Sequence, residues 1–192
     1  MSVSYEDAKE SLTVIKAVTA QTRKAVASAY AAPLLILWGS IWVVSFVLVH
    51  FYRYWAGYIF NAFNAIGAVA TLWICLRWRA KAATKSPTSQ TLAWRILGFW
   101  ALLGVYIWLW LWLLPTSRGI QVCVFISTVA MFGYVVMGLW FGSYFMLYLG
   151  LGVTAITIFG YHFLPAYFFL WMAVMAGGSL FGTGLYIRIR WR

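Results

Sequence analysis

Acidic side chains are almost missing from this chain of 192 residues: Asp and Glu together number three. They are Glu6, Asp7 and Glu10, so no carboxylate side chain occurs anywhere in residues 11–192. Ion-coupled carriers and proton pumps place ionisable groups inside the membrane, most often Asp or Glu, and are excluded on that ground. Paired-carboxylate catalysis and carboxylate-ligated metals are equally out of reach. Charge of either sign is scarce, at 9% of residues, against about a quarter in an ordinary soluble domain. With 65% hydrophobic and 20% aromatic residues and a mean hydropathy of +0.87, a soluble fold of this length could not hide its apolar surface. A soluble enzyme or nucleic-acid binder is therefore excluded. Cysteine is sparse too. Cys75 and Cys123 have no CxxC spacing and no neighbouring histidine, which points to packing rather than to zinc or a disulfide. The N-terminus is polar and acidic, with the first apolar run beginning near Tyr30, so no signal peptide is expected.

What is present is a series of six apolar runs of spanning length, the mark of a polytopic all-α membrane protein. The spans are expected at about 33–51, 56–76, 95–114, 120–141, 144–164 and 165–187. Pro33 is a natural helix-opening residue, and breaks are read at Pro115, at Gly142–Ser143 and at Leu164–Pro165. Residues 119–187 contain no Asp, Glu, Lys or Arg. Residues 1–30 are expected to form a cytoplasmic or interfacial amphipathic helix. In it Lys9, Lys16 and Arg23 recur every seventh residue along one face, suited to anionic lipid. Residues 188–192 form a basic tail.

The net charge of +11 comes from fourteen Lys and Arg. They flank apolar runs, which suits orientation and lipid headgroups better than nucleic acid. Twelve fall on one side of the expected topology: Lys9, Lys16, Arg23, Lys24, Arg77, Arg79, Lys81, Lys85, Arg95, Arg188, Arg190 and Arg192. Only Arg53 and Arg118 fall on the other. The excess marks the cytoplasm, so both termini are expected inside, in a bacterial inner membrane.

The six spans divide into three helical hairpins, and the last two share a loose pattern. Leu-Gly-Val recurs at 103–105 and 151–153, Leu-Pro at 114–115 and 164–165, and Gly-Leu-aromatic at 138–140 and 184–186. A parallel repeat would produce this. The three-hairpin plan is similar to that of mitochondrial carriers, but their repeated Pro-x-acidic signature is absent.

Candidate sites are few. His50 and His162 sit at the outer ends of spans one and five, where two imidazoles could ligate a haem. A serine-protease arrangement fails, because Ser143 is a full membrane away from His162, no histidine follows Ser179 deep in span six, and Ser127 has no glycine beside it to admit a peptide. In span two, Asn61, Asn64, Ala68, Thr71 and Cys75 make a small, polar stripe, and Thr154, Thr157 and Tyr161 do the same in span five. These stripes suit interhelical hydrogen bonds or an uncharged cavity, with Asn61 and Asn64 required to face the bundle. Gly178 and Gly182 form a GxxxG, expected to make the closest helix contact. Trp108 and Trp112 belong to an aromatic cluster at the outer end of span three. An aromatic belt explains most of it, and the surplus suits a pigment, a quinone or another lipophile. No metal and no catalytic residue are expected.

The expectation is a non-enzymatic membrane protein that binds a lipophilic ligand or serves as an accessory subunit of a larger assembly. Membrane lipids and other membrane subunits, or further copies of this chain, are its expected partners. The alternatives are a channel or facilitator for a small neutral solute, and a signalling protein acting through its N-terminal helix.

Overall fold

The computed structural model of the chain describes residues 9, 11–15, 18, 31–81, 87–113 and 119–190. No strand occurs among them, and six helices are long and apolar enough to cross a membrane. The protein is an integral membrane protein. Such a chain has little choice of backbone: in hydrocarbon every N–H and C=O must be satisfied within the segment, which selects the helix. The helices are α1 (Ala32–Phe51), α2 (Ala56–Lys81), α3 (Pro87–Leu113), α4 (Gly119–Phe141), α5 (Tyr144–Phe163) and α6 (Phe168–Arg190). At 1.5 Å per residue, a 20-residue helix such as α1 reaches about 30 Å, the thickness of a bilayer core.

Local chemistry explains the boundaries. Pro33 occupies the first turn of α1, where its missing N–H leaves no bond unmade. Gly142, at φ +60°, ends α4 in the left-handed region that glycine enters freely. Ser143 N donates to Gly138 O at 2.8 Å and Gly142 N to Leu139 O at 3.3 Å, the paired bonds of a Schellman cap. Between α5 and α6, Pro165 follows Leu164 in a turn closed by Tyr167 N donating to Leu164 O at 3.1 Å.

The two broadest interfaces join α4 to α5 and α1 to α6. Each pair runs antiparallel, and small residues set the approach, as is usual where lipid removes the hydrophobic drive between helices. A Cβ at Gly138 would lie 2.6 Å from Leu147 N, and one at Gly150 2.8 Å from Met131 O. Across the other interface, a Cβ at Gly177 would lie 2.8 Å from Val43 N, and one at Gly184 2.8 Å from Ile36 N. Gly39 abuts the Phe181 backbone from the α1 side. The broadest contacts thus cross the boundaries between sequence-adjacent hairpins and bring the first span against the last.

The Gly178–Gly182 expectation is corrected here. Among the described residues, the nearest neighbour of a Cβ at Gly178 would be Ala173 O of the same helix at 3.9 Å, and one at Gly182 would meet nothing within 4 Å. The buried face of α6 carries Gly177, Leu180, Gly184 and Ile187 instead. Residues Met172–Gly177 form a π-helical segment, which alters the helical register just ahead of the glycines.

One end of this segment is tied to α5. Trp171 Nε1 donates to Ile156 O at 2.9 Å, with the indole seated on Gly160. The core therefore comprises α1, α4, α5 and α6, and the other two helices are peripheral. In the apolar window of α6, 44% of residues are buried, against 6% in α2 and none in α3. α2 leans on α1 through Trp38 Nε1, which donates to Thr71 Oγ1 at 3.1 Å, and through the Phe46–Phe60 ring contact. α3 meets α4 where Trp100 packs edge-on against Tyr134 and over Gly133. Before the bundle, residues 11–15 are helical and Lys9 is exposed. Lys16 and Arg23, the rest of the expected lipid-facing row, lie outside the described residues.

Candidate functional site: an uncharged cavity between three helices

Three helices converge on a cavity of about 40 Å³. α1 contributes Ile41, Trp42, Ser45 and Phe46; α2 contributes Phe60 and Asn64; α4 contributes Cys123, Ile126 and Ser127. The polar members share a depth. Ser45 lies six residues before the end of α1, or about 9 Å along the axis. Asn64 and Ser127 each lie eight residues after their helix starts, or about 12 Å. All three distances are measured from the end of the bundle that carries Arg53.

Ser45 is 1% exposed and Ser127 2%. Hydroxyls in apolar helices usually bond back to their own helix, and here Ser40, Thr154, Thr157 and Ser179 each donate to the carbonyl four residues earlier. Ser45 differs: its Oγ is buried and finds no hydrogen-bond partner among the described residues. Leaving such a group unsatisfied costs about 1–3 kcal/mol. Asn64, at the exposed rim, donates from Nδ2 to Phe60 O at 2.8 Å, which leaves its carbonyl oxygen able to accept.

None of the nine lining residues is charged or a histidine. No base is at hand to activate either serine or the Cys123 thiol, and no counter-charge to hold an ion. What the arrangement can do is exchange hydrogen bonds with one small neutral group. Nearby, an open apolar cleft of about 420 Å³ lies along the α1–α2 junction at the end that carries Arg53, walled by Leu48, Tyr52, Trp55, Tyr58 and Phe63.

Of the residues expected from the sequence to line a cavity, this one takes only Asn64. Asn61 and Asn64 are both exposed on α2, and of the two expected to face the bundle only Asn64 lines the cavity. Thr71 accepts from Trp38. Thr154 and Thr157 are satisfied within α5, and Tyr161 accepts at its hydroxyl from Gln121 Nε2 at 3.5 Å. Trp108 and Trp112 stand on α3 at 70% and 69% exposure, away from the cavity. The polar stripes thus scatter to separate neighbours.

The two histidines have unlike surroundings. His50 stacks on Tyr167 with ring centroids 6.5 Å apart, while His162 is exposed beside Tyr161. No group of three or more His, Cys, Asp or Glu able to hold a metal occurs among the described residues. Ser45 is the site residue that the sequence reading missed, and Ser127 was weighed there only as a protease serine. Their signal was available: each is a hydroxyl in an apolar run, at a depth matching Asn64. No protein-family model matches the chain, and no curated protein or solved structure shows significant similarity to it.

Proposed function

We propose that the protein is a non-enzymatic integral membrane protein that binds a lipophilic molecule of the bilayer in the cavity between α1, α2 and α4. One observation carries this reading. Ser45, whose buried hydroxyl finds no partner among the described residues, lines a cavity walled by Ile41, Trp42, Phe46, Phe60 and Ile126, so the site is apolar along its walls and polar at one point. The chain is read as lying in a bacterial cytoplasmic membrane with both termini inside. The distribution of Lys and Arg supports that orientation, and it puts the cavity in the outer leaflet. The test is gentle purification in detergent, followed by native mass spectrometry, organic extraction and an optical spectrum. A stoichiometric co-purifying lipophile, pigment or quinone supports the reading. A protein that carries none, and that no lipid extract stabilises, overturns it. A ligand present at a hundred times its Kd would raise stability by about 2.7 kcal/mol.

A second reading, as an accessory subunit or self-associating protein, is favoured by α3. Its window Trp94–Leu113 has no buried residue, although it carries Leu102, Val105, Tyr106, Trp108 and Trp112. Cysteine cross-linking at Val105 in native membranes tests it. A cross-linked species larger than the monomer supports association through this face, and its absence argues for a lipid-covered helix.

A further inference from the structure

We infer that Ser45, Ser127 and Asn64 form a recognition site for a single hydroxyl group, and that the ligand is a long-chain lipophilic alcohol. The inference rests on the lipophile-binding reading and specifies the chemistry of that same cavity.

Size, charge and hydrogen-bonding capacity each narrow the choice. A volume of about 40 Å³ accommodates a water-sized group, which needs roughly 10–15 Å³ on a comparable measure, but not a bulky headgroup. No Lys, Arg or His lines the cavity, so a carboxylate or phosphate would be buried without a counter-ion. No Asp or Glu lines it either, so an ammonium group would fare no better. The occupant's polar end is therefore neutral. Ser45 supplies a hydroxyl with no partner among the described residues, and Asn64, whose Nδ2 is already used, keeps a carbonyl oxygen able to accept. A hydroxyl accepts from one and donates to the other, whereas a ketone or ester carbonyl only accepts. The route of entry favours an alcohol over a trapped water. The rim is the exposed Asn64 together with Trp42, Phe60 and Ile126, about 12 Å from the end of α2, so the cavity opens toward acyl chains. The remainder of a lipophilic alcohol would lie along this aromatic edge.

The experiment uses the full chain in vesicles of neutral phosphatidylcholine with three diazirine probes of equal length: a primary alcohol, the corresponding carboxylic acid and the corresponding hydrocarbon. The alcohol is expected to label peptides carrying Trp42, Phe60 or Ile126. Excess unlabelled alcohol should compete, and the acid or hydrocarbon should not. The double variant Ser45→Ala/Ser127→Ala should lower the competed labelling about tenfold, as expected for two lost hydrogen bonds. Ser40→Ala, whose hydroxyl bonds to Ile36 O within α1, should leave it unchanged. Equal labelling by alcohol and hydrocarbon, insensitive to the serine changes, overturns the hydroxyl inference and leaves lipophile binding standing. Absence of competed labelling by all three probes overturns both. Labelling confined to other helices shows that this cavity holds at most water, and overturns the inference.

Discussion

Adding one methyl group at Gly184 tests the contact between the first helix and the last. A Cβ there would lie 2.8 Å from Ile36 N and 2.9 Å from Ala32 O, where relaxed contacts are about 3.5 Å or more. Both neighbours are backbone atoms of α1, so no rotamer change relieves the clash and the helices must part by something under about 1 Å. Overpacking of this kind costs about 1–3 kcal/mol, offset by at most about 1 kcal/mol from the better helix propensity of alanine. Gly182→Ala is the matched control, two residues away on the same helix, with nothing within 4 Å of its Cβ among the described residues. Only the propensity effect remains there. At about 2–4 °C per kcal/mol for a chain of this size, the melting temperature of the detergent-solubilised Gly184→Ala protein should fall roughly 2–12 °C below that of Gly182→Ala. Gly182→Ala itself should leave the melting temperature unchanged or raise it slightly. Monodisperse protein surviving stepwise heating, measured by size-exclusion chromatography, reads the difference. Equal losses at the two positions would refute the assignment of the buried face of α6, and with it the α1–α6 interface.

Gly142→Ala forces a side chain into the left-handed region at φ +60° and should cost about 1–2 kcal/mol. An unchanged melting temperature would mean that the α4–α5 turn is closed in another way. The Trp38–Thr71 bond should give a coupling of about 0.6 kcal/mol in a double-mutant cycle with Trp38→Phe and Thr71→Val. Strictly additive losses would detach α2 from that contact. For topology, a cysteine introduced at Ser86 should react with an impermeant maleimide only from the cytoplasmic side, and one at Ser117 only from outside. Both positions lie outside the described residues, and the reverse pattern would overturn the orientation and every argument about leaflets.

The amino-acid sequence by itself determined that this chain crosses a membrane in helices, because hydrocarbon leaves an apolar, almost uncharged segment no other way to satisfy its backbone. Turn chemistry was equally local. Pro33 opens α1, Gly142 ends α4 with a left-handed residue, and Leu164–Pro165 separates α5 from α6. Only the tertiary structure decided which faces meet. In a soluble helix, water marks the outer face with polar residues, but in lipid both faces are apolar and periodicity falls nearly silent. The small residues of α6 show the consequence. Gly177, Gly178, Gly182 and Gly184 look interchangeable in sequence, yet the first and last touch α1 while the middle two do not. The cavity obeys the same logic. Ser45, Asn64 and Ser127 lie on three different helices and no one pattern joins them, so their meeting follows from three helices brought together at matching depth, a relation that no single helix records.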